Sequence, residues 1–433
     1  MKQILAPSKA AMRLCGNHPR EEGVQYRLIR HCIQTSCEDG TLLYNTLTCG
    51  MVLLEPGDDM FAQEALYNER FLVPVDCDEN KIVHQMRQVG ALIMPKKDKT
   101  SFSILTTTDC NARCFYCYEM GCSRTPMTEQ TARDTAAYIA RECKGKPVSL
   151  HWFGGEPLYN RRAIEIITES LAQAGISFTS SMTSNGYYLD AETARTAARD
   201  WNLKRVQITL DGTKDVYNRT KAYIEHDANA FDRVIENIGH ALDEGILVTV
   251  RLNMDERNAE DLFDLADVLA ERIGKREGFG VYVAQLEQFV GAVHKFDSPE
   301  REAEVAIALD DKLEALGIRR RKPLYREFQM NRCMADNDAS EQILPDGGLT
   351  RCEHFDENDT YGSIYGEERD QKHLQSWKEW EYFPECEDCA LYPLCFNLKR
   401  CEWTKNGCQR ASRLQTLRNM QREMLLVYRE SKT

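Results

Sequence analysis

Short apolar runs alternate with amphipathic, helix-length stretches from Ser101 to Gly317. SFSILTT (101–107), PVSLHWF (147–153), SFTSSMTS (177–184), RVQITL (205–210), ILVTVRLN (246–253) and GVYVAQL (280–286) have the length and branched content of strands. Helical periodicity marks TEQTARDTAAYIARECK, RRAIEIITESLAQA, AETARTAARDW, AFDRVIENIGHALDEG and AEDLFDLADVLAERIG between them, and PEREAEVAIALDDKLEALG after the last. Strands separated by helices imply βαβ units and a parallel sheet. Six units in roughly 220 residues suit an incomplete barrel, since a full eightfold barrel typically takes about 250. A doubly wound open sheet is the alternative that pattern alone leaves.

The first hundred residues read as a small separate unit. VQYRLIRHCI and TLLYNTLTCGMVLL are strand-like, with Gly40 marking the turn between them, and DDMFAQEALYNE and DENKIVHQMRQVG read as short helices. MPKKDKT (94–100) is a polar linker containing proline. The expected domains are 1–95, 101–318 and 319–433.

Composition narrows the function classes. Hydrophobic content of 42% and charged content of 28% are ordinary for a globular protein. A net charge of −13 argues against nucleic acid as a partner, and RRRK (319–322) reads as a solvated helix end. No apolar window is long enough to span a bilayer, and Pro7 and Lys9 interrupt any secretory segment, so no membrane is expected and a cytoplasmic location is. Seventeen cysteines in a reducing compartment point to metal before disulfides. None lies between Cys143 and Cys333, and seven follow from Cys333 to Cys408.

Chemistry in parallel barrels sits on the loops after strands, and the candidate groups fall there. Cys110, Cys114 and Cys117 follow the first strand, HWFGGEP the second, SNG (184–186) the third and DG (211–212) the fourth; Arg251 and Asn253 close the fifth. Closely spaced thiolates hold iron–sulfur clusters, and three of them leave one corner of a four-iron cluster open. A zinc site is the other reading of this loop.

The spacing Cys110-x3-Cys114-x2-Cys117, with Tyr116 before the third cysteine, resembles the signature of the radical S-adenosylmethionine (SAM) superfamily, and Gly154-Gly155-Glu156-Pro157 resembles its amino-group-binding element. The resemblance implies that SAM chelates the open iron and is cleaved to a 5'-deoxyadenosyl radical. It further implies SAM contacts from Tyr116, Gly154, Gly155, Glu156, Pro157, Ser184, Asn185, Gln207, Asp211 and Asn253. No catalytic acid or base is assignable.

Cys333, Cys352 and the run Cys386-x2-Cys389-x5-Cys395-x5-Cys401-x6-Cys408 resemble the SPASM extension of radical SAM enzymes that act on peptides. That resemblance implies two auxiliary clusters, one on Cys333, Cys352 and Cys401, the other on Cys386, Cys389, Cys395 and Cys408. Two spacings depart from the family: five residues rather than three separate Cys395 from Cys401, and the last gap is short, so Cys401 and Cys408 could exchange roles. A zinc ribbon is the alternative for this run. The first set supplies three thiols, and LYREFQMNR (324–332) before it has no cysteine. Its open iron could take a substrate thiolate, or be filled by water, by Glu327 or by an N-terminal cysteine. The other seven cysteines read as small hydrophobes.

The expected fold class is therefore α/β: a partial (β/α)6 parallel barrel with an N-terminal winged-helix-like α+β domain and a C-terminal iron–sulfur extension. The cofactors implied are three [4Fe-4S] clusters and SAM. The partners implied are a precursor peptide, bound through its leader as an added strand, and an electron donor such as flavodoxin or ferredoxin. The function expected is intramolecular crosslinking of a ribosomally made peptide, with a thioether favoured. Carbon–carbon crosslinking, formylglycine formation in a sulfatase, and a non-catalytic zinc-binding role are the alternatives.

Overall fold

The computed structural model describes residues 1–433 other than 17, 94–97, 287–292, 329–332, 355–358, 396, 406 and 433. Two compact units divide the chain. One is Met1–Lys96 with Arg321–Cys333 and Trp380–Thr433, and the other is Lys97–Arg320 with Met334–Glu379. Residues 94–97 of the expected linker, and 329–332 of the segment before Cys333, lie outside the described residues.

The first unit opens with β1 (Lys2–Leu5), α1 (Lys9–Cys15), β2 (Tyr26–Leu28), β3 (Cys32–Cys37), β4 (Gly40–Asn45), β5 (Met51–Leu54), α2 (Glu64–Asn68), β6 (Leu72–Pro74) and α3 (Glu79–Ile93). An antiparallel sheet runs β1-β5-β4-β3, and β2 pairs with β6. The apolar run from Thr41 to Leu54 breaks into two strands because the Asn45 side chain accepts the N–H groups of Leu47 and Thr48, at 2.9 and 3.2 Å, and turns the chain. Two residues, Glu38 and Asp39, join β3 to β4, with Cys37 opposite Gly40.

The second unit is built on β7 (Ser101–Thr107), β8 (Val148–Gly154), β9 (Phe178–Ser184), β10 (Leu203–Leu210), β11 (Leu247–Met254) and β12 (Phe279–Gln285). All six are parallel and stand in the sheet in chain order. That order excludes a doubly wound sheet, in which the order reverses at a switch point. Helices α4 (Glu129–Glu142), α5 (Arg161–Gln173), α6 (Ala191–Arg199), α7 (Lys214–Lys221), α8 (Ala230–Asp243) and α9 (Ala259–Arg272) lie between the strands, and α10 (Pro299–Leu316) follows. Alternate residues such as Leu150, Trp152, Val206, Ile208, Val250 and Leu252 are buried in one core with the helices.

Beyond α10, β13 (Ser340–Ile343) adds to the free edge of β7 in parallel, and β14 (Gly348–Thr350) and β15 (Gly362–Ser363) continue antiparallel. This pairing draws residues 334–379, including α11 (Gln371–Ser376), into the parallel-sheet unit. The rest of the C-terminal region, ending in α12 (Arg410–Glu430), belongs instead with the N-terminal sheet. Phe328, Cys386 and Tyr392 share a core with Leu43, Val52 and Phe71, while Leu391, Leu394, Met420 and Met424 share another with Ile33, Leu42 and Tyr44. Polar contacts reinforce the join: Tyr44 donates to the Tyr325 carbonyl at 2.7 Å and Thr46 to the Ala390 carbonyl at 2.5 Å. Among the described residues no helix is long and apolar enough to cross a membrane.

Gly40 tests the hairpin. Its φ is 144°, and a β-carbon there would lie 2.0 Å from the Leu54 carbonyl oxygen. Gly40→Ala is expected to cost more than about 1 kcal/mol, read as a lower urea midpoint for the unit that contains this sheet.

Candidate functional site

The cysteine loop leaves the end of β7 and is held by backbone contacts with β8. Gly154 has φ 115°, and a β-carbon there would stand 2.1 Å from the Thr107 carbonyl oxygen; one on Gly155 would stand 2.3 Å from that of Asp109. These glycines permit the N–H of Gly155 to reach Thr107 O at 3.1 Å and that of Glu156 to reach Asp109 O at 3.0 Å. The loop and GGEP are therefore one joined structure.

Glu156 is fully buried. Its carboxylate accepts the Ser184 hydroxyl at 2.9 Å and the N–H groups of Asn185 and Leu158 at 2.7 and 3.1 Å. Burial raises its pKa to about 7 in spite of these bonds. This carboxylate works within the fold, tying β8 to the turn after β9. Pro157 is buried at the start of the turn that follows. Asn185 donates to Asn111 Oδ1 at 2.7 Å and lies 3.8 Å from Cys110 Sγ, so the SNG turn also braces the cysteine loop.

Cys110, Cys114 and Cys117 are half-buried, and burial raises all three thiols, Cys117 to about 12. After burial, Glu156 and then the other two cysteines raise Cys110, and Glu119 and then Cys114 raise Cys117. Among the described residues no set of three or more His, Cys, Asp or Glu side chains converges on one point as a single ion would need. An iron–sulfur cluster makes a different demand, since each thiolate binds its own iron. The donor chemistry fits such a cluster, and binding would displace the thiol protons.

A buried polar network secures the other side of the loop. Tyr116 donates to Asp211 Oδ1 at 2.8 Å, and Asn253 Nδ2 reaches the same oxygen and the Tyr116 hydroxyl, both at 3.0 Å. Lys221 Nζ lies 2.9 Å from Asp211 Oδ2 and donates to Thr209 at 2.8 Å and Tyr116 at 3.1 Å. Burial opposes the Lys221 charge, but Asp211 and Tyr116 outweigh it and hold the ammonium well above its ordinary pKa. Asn253 Oδ1 is buried with no hydrogen-bond partner among the described residues, a polar atom that suits a ligand donor such as the SAM amine or ribose.

Below this rim, the face of the sheet turned away from the helices is polar. His151 Nδ1 is 2.9 Å from the Ser181 hydroxyl, and Tyr282 donates to Gln207 at 2.9 Å. The Nε of Arg251 is buried without a hydrogen-bond partner among the described residues. Barrel interiors are commonly filled with branched aliphatic residues; this face offers a hydrogen-bonding surface instead. Leu105, Phe153, Leu344 and Tyr118 form a small apolar patch there, and the Tyr118 ring lies 4.3 Å from that of His354. Both carboxylate oxygens of Glu119 are buried without a hydrogen-bond partner among the described residues, and burial raises the group to about 8.

Cys386, Cys389, Cys395 and Cys408 all belong to the other unit. Burial raises Cys386, Cys395 and Cys408, Cys395 to about 11. Cys395 is raised further by the other three, and Cys408 by Cys389. His31 Nδ1 meets the Cys389 carbonyl at 3.3 Å, and the His31 ring stacks on Tyr392. Cys333 and Cys401 belong to this unit and Cys352 to the other. Glu327, one expected substitute ligand, accepts the Ser8 hydroxyl.

Sequence reasoning missed Lys221 because α7, KDVYNRTK, is polar and lacks apolar periodicity; its one signal is Thr213 at the N-cap before Asp215. It named His151 only within HWFGGEP and missed Tyr282; strict strand alternation places them opposite Trp152 and Val281.

Residues 104–269 match the radical SAM superfamily, so this stretch is a radical SAM domain. A probable GTP 3',8-cyclase of Saccharolobus solfataricus is 34% identical over 182 residues, 40% of this chain and 54% of the relative. The chain thus spans about half the length of the curated relatives it matches. In fold it is similar to anSMEcpe with bound AdoMet and Cp18Cys peptide, at TM-score 0.58 and 14% identity over 77% of this chain and 99% of that one. It is also similar to Streptococcus suis SuiB bound to precursor peptide SuiA, at TM-score 0.54 and 13% identity over 89% and 95%. At such identities the two structures speak for a shared fold: a radical SAM α/β fold with a mostly parallel central sheet and an extra C-terminal region.

Two outcomes follow. Gly154→Ala is expected to push the cysteine loop away from β8 and to lose most of the cluster assembled there, read by iron and sulfide analysis against wild type. His151 is held near 4 by burial, with Arg205 adding to the effect, against an ordinary 6.5. The unfolded chain therefore takes up a proton near pH 6.5 that the folded chain refuses until about 4, and stability falls as pH drops through that window. His151→Gln is expected to flatten this loss in urea titrations at pH 6.5 and 4.

Proposed function

We propose that this chain is a radical SAM maturase that installs an intramolecular crosslink, preferably a thioether, in a ribosomally synthesised precursor peptide. The observation that carries the reading is the fold likeness to SuiB, which extends over 89% of this chain and beyond the radical SAM domain. SuiB has precursor peptide SuiA bound, and anSMEcpe has the Cp18Cys peptide. The six ordered strands read as a partial (β/α)6 barrel, with the polar face as the surface that receives the peptide. A four-iron cluster on Cys110, Cys114 and Cys117, with SAM on its open iron, would supply the radical.

The chain's own residues orient and shield this chemistry. Gly154 and Gly155 bring the loop to β8, Glu156 fixes the SNG turn against it, and Asn253 offers an unfilled acceptor. Tyr116, Asp211 and Lys221 lock the rim opposite. Cys386, Cys389, Cys395 and Cys408 are assigned to one auxiliary cluster, and Cys333, Cys352 and Cys401 to the other, on the resemblance of their spacing to the SPASM extension. The thioether preference follows from the three-thiol count of that second set, which leaves an iron for a substrate thiolate. The N-terminal sheet is the candidate leader-binding element, and a flavodoxin or ferredoxin the electron donor.

GTP cyclisation is the second reading, favoured by the 34% identity to the probable cyclase. A triphosphate calls for several convergent cations, and the polar sheet face carries only Arg205 and Arg251 among its described strand residues.

Anaerobic reconstitution tests the proposal. About twelve irons per chain with matching sulfide are expected for three clusters; zinc without sulfide would remove the enzyme reading. Reduced enzyme and SAM, given peptides encoded by short reading frames beside the gene, are expected to lower the mass of one by two hydrogens. Unchanged peptides together with turnover of GTP would establish the second reading.

A further inference from the structure

Helix α7 meets the cysteine loop in a way that none of the expected contacts anticipates. The Lys221 carbonyl accepts the N–H of Arg113 at 2.7 Å, between Cys110 and Cys114. Its ammonium donates to the Tyr116 hydroxyl at 3.1 Å, between Cys114 and Cys117. One residue therefore grips the loop on both sides of its central cysteine. Just past the helix, Ala222 takes a left-handed conformation, φ 45°, and the N–H of Ile224 reaches the Asn111 carbonyl at 2.9 Å. Three contacts from one short stretch thus span the loop from Asn111 to Tyr116.

The ammonium is also an unusual charge. Lys221 is 2% exposed, lysines are rarely buried so completely without a specific partner, and this one is paired with Asp211 at 2.9 Å. Net charge and hydrogen bonding around a cluster set its reduction potential. A cation fixed beside the central ligand eases addition of an electron.

We propose that Lys221 is the positioning residue of the cysteine loop, clamping it at Arg113 and Tyr116 and setting the potential of the cluster it carries through a fixed positive charge beside Cys114. This rests on the reading of Cys110, Cys114 and Cys117 as cluster ligands and is independent of the substrate.

Two properties separate the clamp from the charge. Full-length wild type, Lys221→Arg, Lys221→Met and Tyr116→Phe are reconstituted, and the cluster is identified as the one whose electron paramagnetic resonance (EPR) spectrum changes on adding SAM. Its midpoint potential and the rate at which a chelator abolishes its signal are then measured. Lys221→Met is expected to lower the potential and speed the loss, Tyr116→Phe to speed the loss at unchanged potential, and Lys221→Arg to stay near wild type in both. Wild-type behaviour of Lys221→Met and Tyr116→Phe in both readouts overturns the proposal. Should Lys221→Met not fold, Tyr116→Phe decides by its rate of loss. A wild type without iron refutes the cysteine reading itself.

Discussion

The second unit depends on a place where two backbones come too close for a side chain. Gly154 and Gly155 let the end of β8 touch the chain leaving β7, with carbonyl oxygens where β-carbons would stand. That contact fixes where the cysteine loop begins. Thiols that must present irons in a set geometry gain from such a base, because a free loop would have to be ordered at the moment of metal binding.

Around this contact, buried polar groups do what an aliphatic core cannot. Glu156 ties β8 to the turn after β9, and Asp211 with Lys221 ties β10 and α7 to Tyr116 in the loop. Such pairs are costly to bury and gain little net stability, but they admit only one arrangement of partners. The arrangement produced here places three thiols and one unfilled amide oxygen along the same rim, which is the requirement for joining a cluster to its ligand. In the same unit the large shared core lies on the helix side of the sheet, and the opposite face carries polar residues such as His151, Ser181, Gln207 and Tyr282.

The C-terminal half of the first unit follows a different logic. Cys386, Cys389, Cys395 and Cys408 lie in a segment with little regular structure, and its order comes from cores shared with the N-terminal sheet. Tyr392 illustrates this: it is buried, stacks with His31 and His84, and accepts the Arg87 guanidinium at its carbonyl at 3.2 Å.

The strands from β7 to β12 and all the long helices of the second unit were legible, because burial on one face gives strands and helices distinct periods. Chain order of the strands was not, since periodicity is silent on pairing. The cysteine loop, GGEP, Asp211 and Asn253 could be placed on one rim from strand ends alone. Lys221 could not, because a lysine on a polar helix reads as solvent-facing, whereas here it shares the buried face of α7 with Tyr217. Nor could the union of residues 1–95 with the C-terminal cysteines, which rests on contacts more than three hundred residues apart in the chain, such as Thr46 with Ala390. The bracing role of Glu156 was not legible either: its bonds to Ser184, Asn185 and Leu158 depend on how the turn after β9 packs against β8.

The central claim is that Cys110, Cys114 and Cys117 hold a cluster with one iron left for SAM. EPR spectroscopy of the reduced, reconstituted chain, recorded before and after SAM is added, addresses it most directly. The account predicts that SAM alters the spectrum of one cluster and that Cys114→Ala removes both that signal and the change. A spectrum indifferent to SAM, or a SAM response that survives Cys114→Ala, would contradict it.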